Sequence, residues 1–176
     1  MIEFETVIAK FDGIEANVYQ LHLPIPDHIS SQMLAGGANR FICQLNNRQT
    51  IHSGIMSSKE YRYILINKKV MQTLELDVGS DVNVTIKVDE SKYGMELPIE
   101  FEEVLNSDPK GSEYFEQLTP GKQRNLIYIV SKVKNVDSRI SKSLAIMEHL
   151  NATSGKLDFK QLNQLIKEYN QRNKLK

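Results

Sequence analysis

The first half of the chain alternates between hydrophobic and polar positions with the two-residue period of a β-strand. At its start, Ile2, Phe4 and Ile8 fall on one side of the predicted strand, and Glu3 and Glu5 fall on the other. Turn-forming residues separate the alternating segments. The pattern predicts six strands, over residues 2–11, 16–23, 39–45, 49–56, 61–67 and 82–88. It also predicts two short helices between them, over residues 28–35 and 68–76.

Six short strands in one flat sheet would leave edges exposed, and closing the sheet removes those edges. We therefore predict an α+β fold in which a small closed six-stranded β-barrel is followed by an all-α helical segment. Residues 91–94, Ser-Lys-Tyr-Gly, are the predicted link between the two parts.

From residue 98 onward the hydrophobic positions repeat every three to four residues, which is typical of amphipathic helices. Side chains that accept the first free N–H groups of a helix mark where the helices begin. The predicted caps are Asp27, Asp108, Thr119, Asn135 and Asp158. The predicted buried positions of the two central helices are Leu126, Ile127, Val130 and Val133, then Ile140, Leu144, Met147 and Leu150. The predicted domains are residues 1–92, 95–151 and 156–176.

Charge is balanced over the whole chain but uneven along it. The formal net charge is zero, so global charge selects no class of partner. Residues 96–121 hold seven acidic side chains and one basic one, whereas residues 122–176 hold twelve basic and four acidic ones. A binding function for the helical half would therefore use its basic side chains.

One cysteine, Cys43, excludes a disulfide within the chain. The start of the chain lacks a signal-peptide pattern, and its apolar runs are too short to cross a bilayer. We expect a cytoplasmic protein without a membrane-spanning segment.

Three segments of the helical half carry a resemblance to a known family: PIEFEEVL at 98–105, LTPGKQR at 118–124 and KNVDSRISKSLAIMEHL at 134–150. They resemble the bacterial bacteriocin-protection family, also called YdeI/OmpD-associated or OmdA-like. The resemblance implies a link to bacteriocin resistance, with no reaction established for the family. The first half resembles a bacterial domain family of unknown function through YQLHLPIP, GGANRFICQLNN and YILINKKVMQTLELDVGSDVNVTI. That resemblance also implies a six-stranded barrel.

Catalytic and metal chemistry find little support in the pattern of polar residues. The histidines, His22, His28, His52 and His149, are not paired at ligand spacing, so we predict no metal site and no cofactor. His52 and Ser53 are neighbours on a predicted strand, so their side chains point to opposite faces. Cys43 lies in a predicted strand, where a small buried residue is expected. We predict no catalytic residues.

The basic helices are the main candidate for binding, through Lys122, Arg124, Arg139 and Lys142. One interpretation is a surface that binds an anionic partner. The other is structural, with Arg124 and Arg139 paired to Glu102, Glu103 or Glu113. In the first half, Arg40 and Arg62 are candidates for lining a barrel mouth with His22, Tyr61 and Tyr63. The alternative there is that Arg62 lies outside the barrel.

These observations favour a non-enzymatic binding or interaction module. A small-molecule binder or enzyme with a cleft between barrel and helices is one alternative, and nucleic-acid binding through the basic half is another. A protein partner is the expected kind of partner, nucleic acid is disfavoured because only Tyr128 interleaves the basic residues, and the oligomeric state is open.

Overall fold

A computed structural model of the chain describes residues 1–11 and 20–174, with side chains described up to residue 172. The chain divides into two compact units, Met1–Gly94 and Met95–Lys176. The first unit, the β unit, contains the described strands and two helices. The second, the helical unit, contains five helices among its described residues.

The β unit holds two antiparallel sheets of four described strands each. Their strands are β1 (Ile2–Val7), β2 (Ala9–Lys10), β3 (Leu21–Ile25), β4 (Phe41–Leu45), β5 (Gln49–Ser53), β6 (Ile55–Ser57), β7 (Arg62–Leu65) and β8 (Asp81–Val88). The strand order is β1-β8-β4-β5 in one sheet and β2-β3-β7-β6 in the other. Two helices accompany them, α1 (Asp27–Leu34) and α2 (Lys68–Leu74).

The predicted closed six-stranded barrel is wrong, because neither sheet closes on itself among the described residues. Two predicted strands each divide between the sheets. The first breaks at Ile8, which bonds instead to the turn at Gly79 and Ser80, and the fourth breaks at Gly54. The chain therefore turns a corner at these two places, and ladder pairing does not continue around a barrel. Most of the strand predicted over 16–23 lies outside the described residues, and its end belongs to β3.

The core of the β unit lies under the alternating positions of the strands. Phe41, Cys43 and Leu45 of β4 are buried, as are Val84 and Ile86 of β8. Burial of one face fixes the register, because a slip by one residue would expose the whole apolar row. At the start of the chain the alternation predicted the buried side correctly, since Phe4 and Ile8 are buried, although it could not predict sheet closure.

The helical unit contains α3 (Ile99–Ser107), α4 (Pro109–Glu116), α5 (Pro120–Ser131), α6 (Val136–Ala152) and α7 (Phe159–Lys174). α6 is central and packs against the other four helices. Three predicted caps are confirmed: Asp108, Asn135 and Asp158 accept backbone N–H groups at 2.9, 2.9 and 2.8 Å. Thr119 does occupy the N-cap position of α5, with Pro120 first in the helix, but its side chain makes no cap bond. The prediction for Asp27 is wrong, because Asp27 lies inside α1.

The predicted buried face of α6 is only half right. Met147 and Leu150 are buried, whereas Ile140 and Leu144 are exposed. Ser141 and Ser143 are buried in addition, and their hydroxyls donate to carbonyl oxygens four residues earlier, at 2.8 Å each. Because each hydroxyl finds a partner inside its own helix, serine can be buried where neighbouring helices lie close.

Candidate functional site

Three cationic side chains lie together where α5 ends and α6 begins. We call Lys132, Arg139 and Lys142 the α5–α6 cationic cluster. Lys132 follows the last turn of α5, and Arg139 and Lys142 lie one turn apart on α6. The side chain of Asn135 accepts the N–H of Ser138 at 2.9 Å and so fixes the start of α6 between them. The cluster thus rests on two helix ends and not on a long loop.

Arg139 is held at two sides of its guanidinium group. Its Nε donates to the carbonyl oxygen of Val133 at 2.8 Å, and its Nη1 lies 3.3 and 3.4 Å from the carboxylate oxygens of Glu100. The Glu100 side chain is 9% exposed and the Arg139 side chain 30%. Arg139 is therefore paired with an acid of α3, but not with one of the acids that we predicted from the sequence: Glu102, Glu103 and Glu113.

Lys142 has a different environment. Its side chain is half-buried, and burial, together with the nearby charge of Lys132, lowers its pKa. Neither lysine forms an ion pair with any residue in the described parts of the chain. The cluster therefore carries cationic charge that Glu100 neutralises only in part.

A row of exposed hydrophobic side chains lies on the same helix, and we call it the α6 apolar stripe. Val136, Ile140 and Leu144 are 54%, 39% and 40% exposed. They are spaced four residues apart, so they share one side of α6. Apolar side chains that are exposed on consecutive turns of one helix are typical of a contact surface.

The other two predicted basic residues lie in the first half of α5. Lys122 is exposed and forms no ion pair with any described residue. Arg124 is half-buried and engaged in an interaction within the protein. The structure therefore brings Arg139 and Lys142 together with Lys132, and leaves Lys122 as a separate surface charge.

The cationic cluster and the apolar stripe fall within one segment that is similar to a known family. Residues 94–152 match the family described as bacteriocin-protection, YdeI or OmpD-associated. This match confirms the resemblance of the helical half, and covers α3 to α6 of the helical unit. A comparison with curated proteins found no match for the chain. The resemblance of the first half to a domain family of unknown function stays a prediction.

Outside the YdeI/OmpD-associated segment, Arg40 has a structural position. Its Nε and Nη2 both donate to the carbonyl oxygen of Gly94 at 3.3 Å. Gly94 has a φ of 68°, and a Cβ on it would come within 2.8 Å of the Arg40 side chain. The side chain of Arg40 thus holds the last residue of the β unit, and the barrel mouth that it was predicted to line does not exist.

Arg62 and the aromatic residues near it are also engaged within the β unit. The Nη1 of Arg62 donates to the hydroxyls of Ser30 and Ser31 on α1, at 3.2 and 3.1 Å. His22 is fully buried and bonds to Tyr61 through Nε2 at 2.8 Å, while Nδ1 donates to the Gln20 carbonyl oxygen at 3.2 Å. Burial lowers the pKa of His22 and so favours its neutral imidazole, whose Nε2 can accept from the Tyr61 hydroxyl.

A histidine–aspartate pair in the β unit escaped the sequence analysis. The Nδ1 of His52 donates to Asp89 at 2.7 Å, and the other oxygen of Asp89 accepts the Ser91 hydroxyl at 2.6 Å. Burial opposes ionisation of Asp89, but the bonds from Ser91 and His52 outweigh it and lower its pKa. The pair could be found only from the register of three neighbouring strands. Ile42 of β4 is paired with His52 of β5 on one side and with Lys87 of β8 on the other. Asp89 lies two residues beyond Lys87 and therefore on the same face of the sheet.

A second polar arrangement lies in the helical unit, in an open groove between α6 and α7. The Nε2 of His149 accepts the N–H of Asp158 at 3.0 Å. Across the groove, Tyr169 donates its hydroxyl to Glu148 at 2.5 Å, and burial and this bond raise its pKa to about 12. These contacts join α7 to α6, so each of these groups has a structural role.

Among the described residues no group of three His, Cys, Asp or Glu side chains could hold a metal ion. Burial raises the pKa of Cys43 to about 12, which keeps its thiol protonated and unreactive. No helix within residues 1–11 and 20–174 is both long and apolar enough to cross a membrane.

Proposed function

We propose that the chain is a bacteriocin-protection-associated interaction module that binds a partner and catalyses no reaction. The family match of residues 94–152 supports the association with bacteriocin protection. The observation that supports the binding role is the α6 apolar stripe, three hydrophobic side chains exposed on one side of α6. Hydrophobic side chains exposed on consecutive turns cost free energy in water, and a partner that covers them recovers it.

The surroundings of the other polar residues support binding over catalysis. Arg40 donates to a backbone carbonyl oxygen, and Arg62 donates to two serine hydroxyls, all within the β unit. His22 has both ring nitrogens occupied, and Cys43 is a buried thiol. Catalytic groups need free donors or acceptors facing a substrate, and the buried side chains of His22 and Cys43 do not offer them.

Survival of a bacteriocin-sensitive bacterium that expresses the chain tests this function. We expect the wild-type protein to raise survival at a fixed bacteriocin dose, and the double variant Ile140→Ser, Leu144→Ser to lose that effect. The control is Met56→Ser, which removes an exposed hydrophobic side chain from β6 of the β unit. Circular dichroism on the purified variants checks that they fold. The proposal would be overturned if the wild-type protein did not raise survival. It would also be overturned if the double variant protected the strain as well as Met56→Ser does.

The His52–Asp89 pair supports a second candidate, a small-molecule binder or enzyme. The Nε2 of His52 has no hydrogen-bond partner within the described part of the chain, while the buried Asp89 carboxylate orients the ring. A carboxylate-oriented imidazole is a common general base. A screen of small metabolites for stabilisation of the wild type but not of His52→Gln tests this candidate, and a screen without such a compound counts against it.

A further inference from the structure

We infer that Lys132, Arg139 and Lys142 form an oxyanion-binding site that takes one phosphate group. This inference rests on the proposed binding function and gives the chemical class of the group that the partner presents. The inference rests on more than the number of positive charges. At the junction of α5 and α6, Arg139 is held in place by other residues, and the two lysines add charge that no acid among the described residues neutralises.

Arg139 provides the fixed part of the site. Its contacts to Val133 and Glu100 use Nε and Nη1, and its Nη2 has no partner among the residues that the structure describes. A guanidinium that is already held loses little conformational entropy on binding. Its free N–H groups can therefore donate to an oxygen of an incoming anion.

The two lysines provide the excess charge. Lys132 lies directly before Val133, whose carbonyl oxygen holds Arg139, and Lys142 lies one turn beyond Arg139 on α6. Glu100 is the one carboxylate within ion-pair distance of any of the three cations among the described residues. Asp137 is exposed and, from the helical spacing, lies nearly opposite Arg139 around α6.

The charge and shape of the site fit phosphate better than a carboxylate. Three cations and one carboxylate leave an excess of two positive charges, and a phosphate monoester carries about −1.5 to −2 at pH 7. Its three terminal oxygens can each accept from a different side chain, whereas a carboxylate offers two oxygens and one charge.

A structural role and a binding role for Lys142 predict opposite effects of mutation. If Lys142 supported the fold, its replacement would destabilise the protein. A half-buried ammonium group that faces another cation without an anion instead costs stability, so Lys142→Gln should stabilise the protein in the absence of ligand. A residue that lowers the stability of the free protein is typical of a ligand-binding site.

Thermal unfolding of the full chain, followed by circular dichroism, tests the site with inorganic phosphate as the probe. Chloride at matched ionic strength and pH serves as the reference. We expect phosphate at ten times its Kd to raise the Tm of the wild type by about 3–6 °C. The matched control Lys122→Gln, which removes an exposed lysine of α5, should show the same rise. Lys142→Gln should show a higher Tm in chloride and little further rise in phosphate.

Lys132→Gln provides a second variant with the same expected loss of the phosphate effect. A phosphomonoester such as glycerol 2-phosphate distinguishes the source of the group: an equal rise indicates a phosphate carried on a larger molecule, and a much smaller rise indicates free phosphate. An equal phosphate effect in wild type and Lys142→Gln, or no effect in either, would overturn the site. The phosphate assay uses no bacteriocin, so it is independent of the survival assay. If phosphate had no such effect but the protein still protected the strain, the phosphate site would be ruled out and the proposed function would not.

Discussion

The imidazole Nε2 of His149 accepts the backbone N–H of Asp158 at 3.0 Å. Asp158 in turn caps α7, because its Oδ1 accepts the N–H groups of Lys160 and Gln161 at 2.8 and 3.1 Å. An imidazole that accepts at Nε2 must be neutral, with its proton on Nδ1. Protonation would place a second N–H against that of Asp158, so the attachment of α7 to α6 depends on the charge of His149.

This relationship predicts a loss of stability in mild acid. Burial lowers the pKa of His149 from its ordinary value of 6.5, and this outweighs the opposing effect of the Asp158 charge. The unfolded chain then binds more protons than the folded one as the pH falls through 6.5 toward the folded pKa. The contribution of His149 is therefore complete above pH 6.5 and decreases as the pH falls through that range. Urea unfolding from about pH 7.5 to about pH 5.5 measures this loss.

The matched variant for this prediction is His149→Gln, which keeps a side-chain acceptor but cannot titrate. We expect its unfolding free energy to vary less with pH than that of the wild type. Part of the dependence should remain, because burial also lowers the pKa of His22 in the β unit. An identical pH dependence in wild type and His149→Gln would show that His149 does not couple stability to pH.

Asp108 joins two elements, and its removal should cost more than the loss of a helix cap. Its Oδ1 accepts the N–H of Gly111, and its Oδ2 accepts the Asn151 amide at 2.6 Å. The Oδ1 of Asn151 is buried without a partner in the described residues, so Asp108→Ala would leave both ends of that amide unsatisfied. We expect a loss of about 2–3 kcal/mol in urea unfolding. Asp27→Ala, at an exposed position without a cap bond, should cost less than about 0.5 kcal/mol.

Local features of the fold could be predicted from the sequence, whereas long-range ones could not. The caps of α4, α6 and α7 depend on residues within three positions of each other, and Asp108, Asn135 and Asp158 were predicted correctly. Sheet closure depends on which distant strands pair. The breaks at Ile8 and Gly54 leave no mark in the hydrophobic alternation, so the predicted barrel was wrong.

The candidate site shows the same division. The density of basic residues along the sequence predicted Arg139 and Lys142 as candidates. It could not predict that Glu100 pairs with Arg139, because that contact depends on how α3 packs against α6. The spacing of hydrophobic residues in α6 predicted Ile140 and Leu144 as core residues. That prediction was wrong because part of the buried surface of α6 is formed by Ser141 and Ser143, and serine is not counted in a hydrophobic pattern. The α6 apolar stripe is therefore visible only in the structure.

Two glycines at similar places in neighbouring helices should respond oppositely to alanine. A Cβ on Gly111 would lie 2.7 Å from Asp108 Oδ2 and 2.9 Å from Met147 Sδ, whereas a Cβ on Gly121 would meet nothing within 4 Å. We expect Gly111→Ala to destabilise the protein by about 1–3 kcal/mol through overpacking between α4 and α6. Gly121→Ala should stabilise it by up to about 1 kcal/mol, because alanine loses less entropy in a helix. Urea unfolding of both variants measures the contrast, and equal signs would contradict it.

The contact between Arg139 and Glu100 should contribute a measurable coupling energy to the helical unit. Arg139→Met would leave the buried carboxylate of Glu100 unpaired and would also free the Val133 carbonyl oxygen, so we expect a loss of about 2–3 kcal/mol. Glu100→Gln keeps an acceptor for Arg139 and should cost about 1 kcal/mol. Because the Arg139 side chain is 30% exposed and screened by water, the coupling should be only about 1 kcal/mol.

A double-mutant cycle over Glu100→Gln and Arg139→Met measures this coupling by urea unfolding. The expected double variant is less destabilised than the sum of the single variants, because removing both charges avoids an unpaired buried carboxylate. High salt should weaken the coupling only slightly, since Glu100 is buried. Strict additivity at low salt would show that the two side chains do not stabilise each other. In that case, Arg139 would be fixed in the cationic cluster mainly by its 2.8 Å bond to Val133.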